Sequence, residues 1–210
     1  METKMKNYSQ RSEQQYIIDY FKDSPGVFID IGAYHPEVFS NVRALFSMGW
    51  AGVLVEPSPN CFPALQEFYS GALYAWSEIL TKDVELYNYA IANHTGEIEL
   101  WDSRGDALST TSDSHKEKWE RGYDCKFDKI TVPCLTVSDL IGKSKYKTFD
   151  FINIDVENDQ LGFDILRQFG LTNTKMVCLE CEGDMRREVQ TYLKDFRLIY
   201  TSPENILLCR

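Results

Sequence analysis

Short apolar runs rich in β-branched residues recur along the chain, separated by segments in which apolar residues have helix-like spacing. Such runs are typical of strands that are covered on both faces of a parallel sheet. Strands and helices follow one another with short connections, which indicates right-handed parallel crossovers. The runs are residues 27–31, 53–56, 84–90, 149–154 and 176–179.

The end of the chain has a different pattern. Residues 196–200 and 205–209 are two further strand-like runs, and Ser202-Pro203 lies between them as a turn. We therefore predict an α/β fold, a Rossmann-like doubly wound, mostly parallel seven-stranded sheet that ends in an antiparallel C-terminal hairpin. Residues 26–210 are expected to form this domain, after an N-terminal helical segment over residues 1–25.

Residues 102–128 are polar and lack clear periodicity, which predicts a long loop. Loops of this length usually have a role, such as a lid or a wall of a substrate site. Trp119 and Tyr123 would suit a polar substrate such as a sugar, and a flexible surface loop is the alternative. A helix is predicted to start earlier in the chain, at Pro57-Ser-Pro59.

Charge and composition restrict the class of partner. The formal net charge is −10, with 32 acidic and 22 basic residues, which disfavours a nucleic-acid partner. The sequence has no apolar stretch that could span a membrane, and its polar N-terminus lacks a secretory signal. We expect a cytoplasmic protein with no membrane association, and the sequence predicts no oligomeric state.

The six cysteines are expected to be free thiols. Cys178 and Cys181 form a CxxC pair, but they lie in a predicted strand and at its end. Residues three apart in a strand point to opposite faces. The two sulfurs should therefore be buried and should not bind one metal ion.

Acidic residues follow the apolar runs. Asp30, Glu56, Asp155 and the pair Glu180 and Glu182 stand at the ends of four predicted strands. Ligands of open α/β sheets bind in the crevice beyond these carboxyl ends. The acids are therefore expected to surround a binding site.

The first turn distinguishes between cofactors. It reads DIGAYHPE from Asp30 to Glu37 and contains one glycine, so neither GxGxxG nor a P-loop is present. A ligand without phosphates but with ribose, adenine and a charged tail suits this turn better. Glu56 is positioned to accept hydrogen bonds from ribose hydroxyls.

Several motifs, taken in order, resemble the FkbM family of methyltransferases. They are residues 28–36 (FIDIGAYHP), Ser40-Asn41, residues 49–57 (GWAGVLVEP), residues 88–91 with Gly96, residues 149–157 (FDFINIDVE) and residues 177–180 (VCLE). The resemblance covers most of the chain from about residue 26 onward. It implies a class I methyltransferase fold that binds S-adenosylmethionine and methylates an oxygen, often on a sugar.

The resemblance also implies roles for individual residues. The turn around the first glycine would flank the methionine end of the cofactor, Glu56 would hold the ribose, and Ala90 would border the adenine. The full set for the cofactor is Asp30, Gly32, Ala33, Tyr34, Ser40, Asn41, Glu56, Pro57, Ser58 and Ala90, with Ser40 and Asn41 toward the carboxylate end. Asn158 departs from the family, which usually has glycine there.

Methylation of a hydroxyl needs a base that takes its proton. Asp155 is the first candidate, and His35 is the second because imidazole titrates near neutral pH. His35 could equally be a turn residue that bonds backbone groups. Glu157 and Glu182 could tune the base or orient substrate hydroxyls, or could be solvated loop acids.

Three functions follow from these residues. The favoured one is a methyltransferase for a small-molecule or carbohydrate acceptor, and the alternatives are a macromolecular acceptor or a non-catalytic module that binds S-adenosylmethionine. Asp155, Glu157, Glu180 and Glu182 carry the hard oxygens that Mg²⁺ prefers, but strand-end polarity explains them without an ion. No metal site is therefore assigned.

Overall fold

The computed structural model describes residues 5–75 and 84–210, and the elements below lie in these ranges. The strands are β1 (Val27–Ile31), β2 (Ala51–Val55), β3 (Val84–Tyr87), β4 (Ala90–Ile91), β5 (Gly96–Asp102), β6 (Asp128–Leu135), β7 (Phe151–Ile154), β8 (Met176–Glu180), β9 (Arg197–Thr201) and β10 (Asn205–Cys209). The helices are α1 (Glu13–Phe21), α2 (Arg43–Ser47), α3 (Phe62–Ala75), α4 (Asp113–Tyr123), α5 (Val137–Lys143), α6 (Asp159–Leu166) and α7 (Met185–Tyr192). A short 3₁₀ turn covers Leu171–Asn173.

Seven strands form the main sheet, in the order β3-β2-β1-β7-β8-β10-β9. The pairs from β3 through β8 are parallel, whereas β10 pairs antiparallel with both β8 and β9. The predicted doubly wound, mostly parallel seven-stranded sheet with an antiparallel C-terminal hairpin is thereby confirmed.

Each face of the sheet has its own apolar core, because successive strand residues point to opposite sides. Phe28 and Phe151 pack with side chains of α1, α2 and α3, whereas Ile29 and Ile152 pack with side chains of α5, α6 and α7. Cys178 belongs to the first of these cores and Cys181 to the second. The two sulfurs therefore point to opposite faces, as predicted.

The predicted strand over 84–90 divides into two, which belong to different sheets. β3 pairs with β2, whereas β4 pairs with β6 in a second sheet of order β4-β6-β5. The side chain of Asn88 donates from Nδ2 to the Glu56 carbonyl at 2.8 Å and to the Pro57 carbonyl at 3.3 Å. These bonds hold the chain in an irregular conformation between the strands, so one continuous strand cannot form.

The prediction of an irregular loop over 102–128 is wrong for α4. This helix starts at Ser112, whose Oγ accepts from the His115 backbone N–H, and exposed Lys–Glu and Glu–Arg pairs four residues apart stabilise it. None of its residues is buried. The helix therefore lacks the apolar stripe that sequence periodicity detects.

The predicted helix start at Pro57 is also wrong, since α3 begins at Phe62. The intervening residues form a turn around Ser58, whose Oγ accepts from the backbone N–H groups of Asn60 at 3.2 Å and Cys61 at 3.3 Å. This side chain satisfies donors ahead of the helix and leaves the preceding residues free to border the sheet edge.

In the N-terminal segment, α1 packs Ile17 and Phe21 into the core, and the Phe21 ring lies 4.6 Å from that of Trp50, centroid to centroid. Residues 1–4 of the predicted segment lie outside the described residues. Within the described ranges, no helix combines the length and hydropathy needed to cross a membrane.

Candidate functional site

A cleft of about 1000 Å³ opens at the carboxyl ends of the parallel strands. Open α/β sheets bind ligands in such crevices, and the volume suits a nucleoside-sized ligand together with a second small molecule. Four of its lining residues stand at strand ends: Gly32 after β1, Glu56 after β2, Asp155 after β7 and Glu180 in β8. Further lining residues come from β4, β5 and α4.

Glu56 joins the turns that follow β1 and β2. Its Oε2 accepts from the Tyr34 N–H at 2.8 Å, and its Oε1 accepts from the Ser58 N–H at 2.7 Å. The residue is 5% exposed, and burial raises the pKa of its carboxyl to about 7 although both N–H groups oppose that rise. A buried carboxylate that lines the cleft and is fixed from behind is well placed to accept from ligand hydroxyls.

Gly32 brings two strand ends together. Its φ is +83°, and a Cβ at this position would lie 1.6 Å from the backbone oxygen of Asp155. Only glycine fits such an approach. Tyr34, two residues later, also has a positive φ, of 48°, and its ring stacks on that of Phe39 with centroids 6.4 Å apart.

A buried polar chain supports this turn. Asn41 donates from Nδ2 to Asn153 Oδ1 at 3.0 Å, and Asn153 donates from Nδ2 to Asp30 Oδ1 at 2.7 Å. Burial raises the pKa of Asp30 to about 6, against this last hydrogen bond. Asp30, Asn41 and Asn153 do not border the cleft, so they form a layer beneath its surface.

The other predicted cofactor residues divide in the same way. Tyr34, Pro57 and Ala90 line the cleft, whereas Ala33, Ser40 and Ser58 do not. The Oγ of Ser40 accepts from the Arg43 N–H at 3.1 Å, at the start of α2. That of Ser58 donates to Asp102.

Asp155, Glu157 and Glu180 form a carboxylate cluster in the cleft. One oxygen from each lies within 4.8 Å of the others, so the group could also hold a divalent cation. Burial raises the pKa of Asp155 to about 7 and raises that of Glu180 well above its usual range, and the two side chains share a hydrogen bond. Burial and the neighbouring Glu157 carboxylate both favour retention of a proton by this pair.

Glu157, rather than Asn158, takes the unusual backbone conformation after β7. Glu157 has a φ of 52°, whereas Asn158 has an extended φ of −160° and caps α6 by accepting from the Leu161 N–H. The Glu157 N–H donates to Glu180 Oε2 at 2.9 Å, and its carbonyl accepts from Thr110 Oγ1 at 2.7 Å. The left-handed conformation is therefore held by hydrogen bonds from both sides.

His35 and Glu182, the remaining predicted candidates, lie in different places. The Nδ1 of His35 accepts from the backbone N–H groups of Glu37 and Val38, each at 3.1 Å, and the residue does not line the cleft. Glu182 lines the cleft, and its backbone N–H donates to Asp159 Oδ2 at 3.0 Å.

Sequence reasoning missed His115. This residue lies on α4, lines the cleft, and places Nε2 2.9 Å from Glu157 Oε2. The signal that could have found it is the Ser112 cap followed by charge pairs at helical spacing, which marks a helix without an apolar face.

Comparisons with known proteins give a family. The model of the family described as "Methyltransferase FkbM domain" matches residues 30–202. No curated protein matches the chain.

Two solved structures resemble the fold. One is the crystal structure of methyltransferase FkbM from Methylobacillus flagellatus KT, with a TM-score of 0.58, 12% identity, and coverage of 90% of this chain and 44% of that chain. The other is an uncharacterized protein from Listeria monocytogenes serotype 4b, with a TM-score of 0.48, 13% identity, and coverage of 97% and 68%. This chain thus spans less than half of the Methylobacillus structure, and the likeness to it concerns the fold alone. From the match over residues 30–202, the chain belongs to the FkbM methyltransferase family.

Proposed function

We propose that this protein is an S-adenosylmethionine-dependent methyltransferase that methylates a hydroxyl of a sugar or another small polar acceptor. The observation that carries the proposal is the buried Glu56 carboxylate, which lines the cleft beside the glycine turn after β1. Residues 26–210 would carry the activity. Family membership supports methyl transfer, and the site supports the finer assignments.

The residues of the cleft fit this cofactor better than a dinucleotide. Lys118 is the one lysine among the described residues that line it, and no arginine does so. A pyrophosphate would therefore lack the positive partners and the glycine-rich turn that usually bind it. An adenosine without phosphates suits these residues better. The Glu56 carboxylate can accept from ribose hydroxyls, and Ala90 and Ile91 offer apolar groups to a flat base.

The buried residues around the turn would act on the cofactor through the residues that line the cleft. Asp30, Ala33, Ser40, Asn41 and Ser58 would fix the turns that carry Gly32, Tyr34 and Glu56. Pro57 and Ala90 would contact the cofactor from the β2 and β4 sides. This arrangement lets a single glycine admit the methionine end close to the backbone.

Asp155 would take the proton from the acceptor hydroxyl. S-adenosylmethionine, when bound, supplies the electrophilic methyl group. A base works best when its pKa lies near the working pH, and burial raises that of Asp155 to about 7. Glu180 shares a hydrogen bond with Asp155, while Glu157 and Glu182 would orient acceptor hydroxyls. His35 is a weaker candidate because the loop backbone occupies its Nδ1.

Calorimetric titration with S-adenosylmethionine and S-adenosylhomocysteine tests the cofactor assignment. Wild type should bind both, and Glu56→Gln should lose most of this affinity while remaining folded by circular dichroism. Failure of the folded wild type to bind either ligand would refute the proposal.

Asp155→Asn tests the enzyme assignment. The variant should retain cofactor binding and lose transfer of a radiolabelled methyl group by roughly 100-fold or more, as expected for removal of a general base. If wild type binds the cofactor but methylates no small acceptor, the non-catalytic module or a macromolecular acceptor is the better assignment.

A further inference from the structure

Helix α4 presents an aromatic face to the cleft. His115, Trp119 and Tyr123 are spaced four residues apart, so they share one side of the helix, and all three line the cleft. The ring centroids of His115 and Trp119 lie 6.0 Å apart, and those of Trp119 and Tyr123 lie 4.7 Å apart. No residue of α4 belongs to any of the apolar cores, so these rings are not explained by core packing.

Trp119 also has an unsatisfied donor. Its Nε1 is buried and has no hydrogen-bond partner among the described residues. Buried indole N–H groups usually find an acceptor, because an unpaired one loses its hydration without compensation. An oxygen of a bound ligand would supply the missing acceptor once a small movement of the ring opens Nε1 to the cleft.

The charge of the cleft restricts that ligand further. Eight carboxylates and one ammonium group, that of Lys118, belong to the described residues that line it. Even where burial keeps Glu56, Asp155 and Glu180 partly protonated, negative charge dominates. The carboxylates are those of Glu56, Asp106, Asp155, Glu157, Asp159, Glu180, Glu182 and Glu204.

A contact ties this helix to the carboxylate cluster. His115 Nε2 lies 2.9 Å from Glu157 Oε2, and both side chains are mostly buried, at 17% and 16% exposed. The helix that carries Trp119 is thereby joined to the carboxylate cluster that contains Asp155. Trp119 and the candidate base Asp155 line the same cleft.

From these observations we infer that α4 is the acceptor-binding wall, and that Trp119 is a positioning residue on which a neutral or cationic ring-bearing alcohol lies. Anionic acceptors, such as sugar phosphates and uronic acids, are excluded by the carboxylates. The indole face packs on the ring, and its N–H donates to a ring substituent. This inference rests on the proposed function and names the acceptor class of the same site.

Binding of sugar probes to the protein loaded with S-adenosylhomocysteine tests the exclusion of anionic acceptors, and it requires no turnover. The probes share one ring: methyl α-glucopyranoside and phenyl β-glucopyranoside are neutral, glucosamine is cationic, and glucuronate and glucose 6-phosphate are anionic. Saturation-transfer NMR should detect the neutral and cationic probes and not the anionic ones. Equal binding of the anionic probes, or binding of none of the five, would overturn the inference.

Variants of α4 test whether the acceptor ring lies on Trp119. Trp119→Ala should weaken probe binding roughly fivefold to tenfold, and Trp119→Phe, which keeps a face but lacks the N–H, should fall between this variant and wild type. Arg121→Ala is the matched control, because Arg121 pairs with Glu117 and does not line the cleft. An unchanged affinity in Trp119→Ala would also overturn the inference.

Titration of every variant with S-adenosylhomocysteine separates the two proposals. Normal cofactor affinity with failed probe binding would refute the acceptor wall and leave the methyltransferase assignment intact. With any methylated acceptor, Trp119→Ala should raise KM and leave kcat nearly unchanged, because the residue positions the ring and does not move the proton.

Discussion

As pH rises, ionisation of Glu56 should lower the free energy of unfolding and raise the affinity for the cofactor. Burial raises the pKa of its carboxyl from 4.5 to about 7. Between these values the folded protein holds a proton that the unfolded chain has released. The folded state therefore binds more protons there, and the free energy of unfolding falls as pH rises. The contribution of Glu56 to the free energy of unfolding is fully present below pH 4.5 and is lost above about pH 7.

The size of the effect follows from the same two pKa values. Their difference corresponds to about 3 kcal/mol of unfolding free energy for this one carboxyl, a large share of the stability of a small domain. Glu56→Gln removes the titration and keeps the size of the side chain. The variant also loses one acceptor for the Tyr34 and Ser58 N–H groups, which should add a separate, pH-independent loss of stability of about 1–3 kcal/mol.

Urea unfolding of wild type and Glu56→Gln, from about pH 5 to about pH 8, measures the link. The difference between the two free energies should shrink as pH rises, because only wild type loses the Glu56 contribution. Asp30, Asp155 and Glu180 titrate in both proteins and largely cancel. A difference that stays constant over the whole range would refute the reasoning.

The same carboxyl should act on the cofactor with the opposite sign. The ionised form accepts from ribose hydroxyls, so affinity for S-adenosylmethionine should rise with pH up to about 7. Calorimetry near pH 6 in two buffers of different ionisation enthalpy should show up to one proton released on binding. Glu56→Gln is the control, because protons from the ligand's own amino group remain in that variant.

Three further substitutions and one control substitution test the scaffold. Gly32→Ala should destabilise by roughly 3 kcal/mol or more in urea unfolding, since its Cβ would strike the Asp155 carbonyl at positive φ. The control Gly142→Ala, in open space on α5, should instead stabilise by about 0.5–1 kcal/mol, and a loss there would contradict the steric argument. Arg186→Ala should lower the free energy of unfolding by about 2 kcal/mol, because the guanidinium donates to the backbone carbonyls of Cys181, Ser202 and Pro203. An unchanged urea midpoint would count against those bonds. Gly122→Ala, also in open space, should slow amide hydrogen exchange within α4, and unchanged exchange would argue against a stable helix.

The main sheet was predictable because its central strands are buried on both faces. Runs such as 27–31 and 149–154 are mostly apolar, with Asp30, Asp150 and Asn153 as their polar residues, and no choice of register or face is needed to recognise them. The second sheet gives a weaker signal. β6 contains Pro133, which argues against a strand in a sheet interior. The residue is tolerated because the two-residue β4 pairs only with Cys134 and Leu135, so β6 lacks a neighbour on that side at Pro133.

Part of the cleft was predictable for a topological reason. Parallel strands end at one edge of the sheet, so acids after β1, β2, β7 and β8 had to meet there, although Asp30 lies one layer deeper. The contribution of α4 was not predictable in this way. The contact between His115 and Glu157 joins residues far apart in the chain, and its helix has no apolar stripe. Asn153 was missed because it lies inside an otherwise apolar strand.

The carboxyls of the cleft are better explained by chemistry than by stability. Burial raises the pKa of Glu56 and Asp155 to about 7, so near neutral pH each is held where ionisation is unfavourable to the fold. Perturbed groups of this kind gather at functional sites, and here they lie at the ends of separate strands. Asp155 and Glu180 share a hydrogen bond, and burial raises the pKa of both carboxyls. Such a pair can take up a proton near neutral pH, and a stability role alone gives no reason for it.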